Sequence, residues 1–344
     1  MTSRERALAA YAFQTTDRPC LDLMEGTVWP ELADDFAARY GLRDDEAIQE
    51  ALGSDFRWSI FKTVISPYPQ SPDYTGNGSF SDAFEKPLSK AQTPEDVRAL
   101  FQPDAARVVL PDFKAVRERH LNMALVCCPG WMPCFSGACD DFGMEKAMTL
   151  LVEAPEVIEA YVRIKGQYAL EVVRRCLREG AVQHYDFFWL GDDFAGESSM
   201  LLSPGMWRTF FKEALRAQVQ EIRDAGMPVM FHSCGDVGAV YEDFIEMGIS
   251  AHCGVQTSCP GMSAKELAEK IGGRLVIHGG VDAQRTLVSG SVAEVAEETR
   301  RNIEAFAGCG GYVVSNSHHT LMDIGAEKLA AMALGAGRWQ GVSV

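Results

Sequence analysis

The chain lacks the run of about 20 consecutive apolar residues that a membrane helix requires. Its opening, Met1-Thr2-Ser3-Arg4-Glu5-Arg6, lacks the apolar core of a signal peptide, so the sequence reads as cytoplasmic. Positive charge is scarce: 32 Lys and Arg stand against 48 Asp and Glu, a net charge of −16. That balance argues against nucleic acid or an anionic membrane surface as partner. No GxGxxG or GxxxxGK[ST] follows a strand-like segment, which leaves the usual dinucleotide and nucleoside-triphosphate sites unsupported. None of the ten cysteines forms a CxxC pair. Cys127, Cys128, Cys134 and Cys139 therefore do not match a structural zinc knuckle and read as a loop lining a cleft. In a cytoplasmic chain the ten thiols are expected as core residues, ligands or redox-sensitive groups, not as a disulfide framework.

What is present is ample apolar material, 47% of 344 residues, enough for two domains or one large barrel. From about residue 150 strand-like and helix-like segments alternate. The spacing of Ile158, Val162, Ala169, Val173 and Cys176 predicts a helix over 155–178. Strands are expected at 184–190, 229–232, 250–255, 274–278 and 312–315. Helices begin at Ser203-Pro204 (running to about Arg223), near Gly238 (to Met247), and at the capping boxes Ser263/Glu266 and Ser291/Glu294, the last stopped by Gly308. This βα alternation favours a parallel sheet with helices outside, either a closed barrel or an open doubly wound sheet. The first 120 residues read differently, with helices near 3–13 and 30–41, a turn-rich stretch over 66–79, and a short helix from Thr93-Pro94. They are expected as an N-terminal elaboration packed on the rest, within a single domain spanning 1–344.

The most informative segment is His232-Ser233-Cys234-Gly235-Asp236, directly after the apolar run Met227–Phe231. Side chains two apart on a strand face the same way, so His232 and Cys234 could grip one ion. A buried strand end with a hydrogen-bonded imidazole and an inert thiol remains the alternative. A third ligand is sought in the turn carrying His318 and His319, and His252, Cys253, Cys259 and His278 add further imidazoles and thiols at strand ends. Asp192 and Asp193 follow a strand, and one of them is expected at the site as a proton carrier, or as a helix cap. Gln256 and Asp282 also follow strands and are candidate substrate contacts, with turn roles as the alternative; Asp236 reads as a cap or a support to a ligand.

Several segments together carry a resemblance: Thr16-Asp17-Arg18-Pro19, Gly191-Asp192-Asp193-Phe194, Leu202–Trp207, His232–Asp236 and His278-Gly279-Gly280-Val281-Asp282. Through them the chain resembles the uroporphyrinogen decarboxylase superfamily, and within it the corrinoid-dependent methyltransferase-like members. The resemblance implies a (β/α)8 TIM barrel, with its site at the carboxyl ends of the strands. It also implies zinc held by a His-x-Cys pair and a distant Cys. Here His232 and Cys234 match the pair, whereas the distant position falls nearest His318. A His for Cys replacement removes one negative charge from the ligand set.

The activity so implied is exchange of a methyl group between a corrinoid on a partner protein and a small molecule. That molecule would be tetrahydrofolate, a thiol, or a methoxy or methylamine compound. The metal set is expected as His232, Cys234 and His318, the catalytic carboxylates as Asp192 and Asp193, and substrate contacts from Glu25, Gln256 and Asp282; Glu25 could also reach the metal. The second reading is a metal-independent decarboxylase of a carboxylated, tetrapyrrole-like substrate. It conflicts with segment 22–30, which contains no arginine where the decarboxylases carry an arginine-rich stretch. A barrel that only binds a tetrapyrrole is the third.

Overall fold

The computed structural model describes residues 1–61 and 86–341; the turn-rich stretch read over 66–79 lies outside them. Eight strands run parallel: β1 (Cys20–Leu21), β2 (Phe56–Ile60), β3 (Ala124–Cys128), β4 (Phe187–Gly191), β5 (Val229–His232), β6 (Ala251–Val255), β7 (Val276–Val281) and β8 (Tyr312–Asn316). Each strand from β2 to β8 pairs with its neighbour in sequence, and β1 pairs with β8. The seam between β1 and β2 is held by Asp55, whose N–H donates to the Leu21 carbonyl (2.7 Å) while its carboxylate accepts from Leu21 N–H (3.1 Å). The result is the (β/α)8 barrel, nearly closed, with helices alternating around it.

The strands are buried on both faces, as parallel strands covered by helices must be. Inward-facing Phe56, Val126, Phe187, Trp189, Met230 and Val313 fill the lumen. A helix over Ser3–Tyr11, opened by a Thr2/Glu5 capping box, plugs the amino end with Ala7, Ala10 and Tyr11 against the lumen cluster. The barrel is thus closed below, and access is left to the carboxyl ends of the strands.

The expected helix at 155–178 is observed as Pro155–Arg178, the capping boxes read at Ser263 and Ser291 both close, and the short helix expected from Thr93-Pro94 also opens with one. The helix begun at Ser203 breaks at Phe211 into Pro204–Phe210 and Lys212–Asp224. The strand read over 274–278 is Val276–Val281, because Gly279 and Gly280 continue it at φ 140° and 95°. The first 120 residues do more than decorate the barrel: they supply β1 and β2, two of its eight strands.

Among the described residues no helix is long and apolar enough to cross a membrane.

Candidate functional site

Strand alternation puts His232, the last residue of β5, and Cys234, two residues on, on one side of the chain. Cys234 Sγ lies 3.5 Å from His232 Nε2. The turn after β4 brings Asp193 to the same nitrogen, with Oδ1 at 3.4 Å, and Cys234 N–H donates to that oxygen at 2.8 Å. One ligand atom from each of Asp193, His232 and Cys234 lies within 4.8 Å of the others. Burial alone would lower the His232 pKa, but Cys234 and Asp193 on Nε2 outweigh it and raise it well above the ordinary value. Burial lifts the Cys234 thiol, and the His232 imidazole opposes that rise. For Asp193 the His232 and Cys234 contacts outweigh burial and hold the carboxyl below its usual range.

The loop carrying this pair is pinned through its backbone. Gly235 turns at φ 79°, and a Cβ there would lie 2.7 Å from the Ala195 carbonyl oxygen. Gly235 N–H donates to Gln256 Oε1 (3.1 Å), and Asp236 N–H donates to the Gly196 carbonyl (2.9 Å). His252 Nε2 meets the Ser233 carbonyl at 2.9 Å, and Tyr241 OH meets Nδ1 at 3.0 Å. A carbonyl only accepts, so Nε2 carries the proton and the tyrosine hydroxyl donates to Nδ1. Burial holds His252 down to a pKa of about 4, so it is neutral and acts as a brace between His232 and Cys234.

The other residues singled out from sequence separate into different roles. Asp192 is taken up as a remote cap for the helix Phe135–Phe142. Its oxygens accept from Cys134 N–H (3.0 Å), Phe135 N–H (2.8 Å), Ser136 N–H (2.9 Å) and Ser136 Oγ–H (3.1 Å). Burial pushes it up to about 6 against those donors. Asp282 Oδ1 accepts from Gln284 and Arg285 N–H at 2.8 and 3.2 Å and so shapes its own turn. Asp236 likewise accepts from Gly238 N–H at 3.0 Å. Gln256 holds the Gly235 turn, as above. The His318 ring sits 6.2 Å from that of His232, centroid to centroid, but its nitrogens fall outside the close group of donor atoms, where Asp193 stands instead. The His319 ring lies 3.9 Å from that of His318, centroid to centroid, tilted by 48°.

Glu25 occupies a half-buried turn after β1 in the left-handed region (φ 59°, ψ 7°), a conformation that disfavours a side chain. Asn316 holds that turn in place: Oδ1 accepts from Met24 N–H (3.1 Å), and the amide nitrogen donates to the His318 carbonyl. Burial raises the Glu25 pKa, opposed chiefly by His232. Beneath the site, Asp22 accepts from Trp58 Nε1 (3.0 Å) and meets His278 Nε2 (3.0 Å), whose Nδ1 meets Tyr11 OH (3.1 Å).

Sequence reasoning passed over Trp131 and Trp189, whose rings lie 6.0 and 6.1 Å from His232, because tryptophans in a strand and its loop look like ordinary core. It also passed over Gly254, where a register shift between β6 and β7 falls. An isolated glycine inside a strand pattern is the signal that could have marked it.

The family described as uroporphyrinogen decarboxylase (URO-D) matches residues 84–336. No curated protein matches the chain. Among solved structures, a methyltransferase from Methanosarcina mazei superposes with a TM-score of 0.66 over 98% of each chain at 18% identity. A rutinosidase from Aspergillus niger superposes with a TM-score of 0.44 at 11% identity, over 88% of this chain and 90% of its own.

Proposed function

Because the chain belongs to the uroporphyrinogen decarboxylase family, we propose that it is a zinc-assisted methyltransferase, moving a methyl group between a corrinoid on a partner protein and a small molecule. The observation that carries this reading is the Asp193, His232 and Cys234 group at the open end of the barrel. Nitrogen, sulfur and carboxylate oxygen are the donors zinc takes, and three protein ligands leave its fourth position for a reactant. Asp193 takes the third place expected of His318. A carboxylate restores the negative charge that a His for Cys exchange would remove, so the set keeps two anionic ligands. The structural neighbour described as a methyltransferase is in keeping with this reading.

Bound zinc would keep a coordinated thiol ionised at neutral pH or polarise a methyl-bearing atom. The chain's own residues do the rest. Cys234 N–H orients Asp193 through its 2.8 Å hydrogen bond, and His252 fixes the Ser233 carbonyl between His232 and Cys234. Trp131 and Trp189 shield one side of the His232 ring from water. Glu25, whose pKa burial raises against the opposing influence of His232, stands beside that group. The decarboxylase reading has less support, since the Asp192 oxygens are taken up by the 135–142 helix and segment 22–30 has no arginine.

Metal content of untagged protein tests this, with Cys234→Ser and Asp193→Asn alongside, followed by methyl transfer from methylcobalamin to a panel of thiols and tetrahydrofolate. About one zinc per chain, lost in both variants, together with turnover is the expected outcome. Well-folded wild type that takes no zinc when zinc is offered would sink the metal site.

A further inference from the structure

The mouth of the barrel combines aromatic walls with one half-buried carboxylate, Glu25, that forms no ion pair among the described residues. Trp131 is half-buried, 5.9 Å from the ring of Trp189 and 6.0 Å from that of His232. It reaches this position over Gly191, where a Cβ would lie 2.7 Å from the Trp131 ring. Trp58, also half-buried, donates its N–H to Asp22, and half-buried Trp29 meets His319 edge-on at 6.4 Å. Four of the six tryptophans therefore gather at this end of the barrel. The Trp189 indole N–H is buried on that wall without a hydrogen-bond partner.

Among the described residues, no lysine or arginine forms an ion pair with Glu25, Asp22 or Asp193; Asp22 meets His278 and Asp193 meets His232. Arg57, on β2, is engaged instead with Glu46 at 2.7 Å. A zinc ion would not reverse this balance, since its two positive charges are matched by Cys234 and Asp193 as ligands, leaving Glu25 over. An anionic group entering here would meet a carboxylate and the faces of indole rings, and would lose its hydration without a lysine or arginine in return, since His232 is already engaged by Asp193 and Cys234. A cation meets the opposite: ring faces that attract positive charge and a half-buried carboxylate.

We infer that the small molecule taken at this mouth is an organic cation, an ammonium or sulfonium, seated against Trp131 with Glu25 as its counter-charge. This rests on the methyl-transfer reading and narrows its substrate class. It disfavours sulfonate-bearing thiols and polycarboxylates as the occupant of this space.

The test uses the full-length zinc-loaded protein and two probes of equal shape, choline and its uncharged carbon analogue 3,3-dimethylbutan-1-ol. Binding is followed by tryptophan fluorescence and calorimetry, with 2-mercaptoethanesulfonate as the anionic comparison. Choline is expected to bind at least tenfold more tightly than the neutral analogue. Trp131→Leu should lose at least tenfold for choline while hardly altering the analogue, and Glu25→Gln should lose severalfold. Trp131→Phe, which keeps a ring, should retain most of the binding and guards against a folding defect in the leucine variant. Equal affinity for the two isosteres, no choline binding, or tighter binding of the sulfonate would overturn the inference. Zinc content and methylcobalamin turnover on the same preparation separate that failure from failure of the methyltransferase reading. An enzyme that turns over but ignores charge refutes only the cation.

Discussion

Gly254 stands so close to the His232 ring that a Cβ at 254 would lie 2.6 Å from Nδ1 and 2.7 Å from Cε1. The glycine sits at φ 79°, at the point where the β6–β7 register shifts. The bulge thus makes room for the imidazole while Nε2 faces Asp193 and Cys234. Gly254→Ala should push the ring out of line and strain the backbone, at a cost on the order of 1–3 kcal/mol. Denaturant midpoint and zinc content should both fall. A variant with wild-type values for both would show that the close approach has no consequence for the site.

Asp192 and Asp193 are neighbours in sequence with opposite assignments. Asp192→Ala would leave buried N–H groups of residues 134–136 without an acceptor, at a cost of at least about 2 kcal/mol. Its zinc content should stay near wild type in the folded fraction. Asp193→Asn should do the reverse, with little change in thermal midpoint and loss of the metal. Calorimetry paired with metal analysis on the two variants reads both outcomes, and matching behaviour would refute the division of labour.

The pattern of legibility follows from range. The helix at 155–178 and the capping boxes at Ser263 and Ser291 are local, and the sequence states them plainly. His232 and Cys234 are two apart on a strand, so their shared direction is also local. Asp193 joining them depends on the pairing of β4 with β5, which no local pattern specifies. The same holds for β1, two residues long and without a detectable period, which is defined by its partner β8. Asp192 looked catalytic because its acceptor role is filled by a helix 56 to 58 residues earlier in the chain. Trp131 could not be placed from sequence for the same reason, since its loop follows β3 and its neighbours Trp189 and His232 come from β4 and β5.

His252 should make stability depend on pH. Its folded pKa is depressed to about 4 from 6.5, mainly by burial. Between those values the unfolded chain binds a proton that the folded state refuses, so this contribution is fully present above pH 6.5 and is lost as pH falls towards 4. The effect is bounded at roughly 3 kcal/mol. Tyr241 OH and the Ser233 carbonyl face the ring directly, with His232 and Asp193 acting at longer range. His319, held to about 4, acts in the same direction, and Asp192, raised to about 6, opposes it. Both persist in His252→Gln, so the difference between variant and wild type isolates His252. Urea unfolding across that window should be less steep in pH for the variant. Parallel curves would refute the neutral brace.

Asp55 carries the seam of the barrel. Arg6 Nη1 meets one carboxylate oxygen at 2.6 Å, Arg338 Nη1 meets the other at 2.8 Å, and Leu21 N–H donates at 3.1 Å. All three charged side chains are buried, and they bring the amino-terminal helix, the edge of β1 and the chain beyond the last helix to one point. Asp55→Asn keeps the shape but leaves two buried guanidinium groups with one fewer anion. Breaking a buried pair from one side costs about 3–5 kcal/mol, more than such a pair contributes over a well-packed apolar replacement. The single variant should therefore lose most of its unfolding free energy in urea. Asp55→Leu combined with Arg338→Met should lose less than the sum of the two single changes, because the second removes a charge that the first stranded. Arg6 limits that recovery, since its other carboxylate, Asp17, lies at 2.7 Å on an exposed turn and only partly compensates for Asp55. Additive losses in the double variant would mean that Arg338 and Asp55 act on the seam independently.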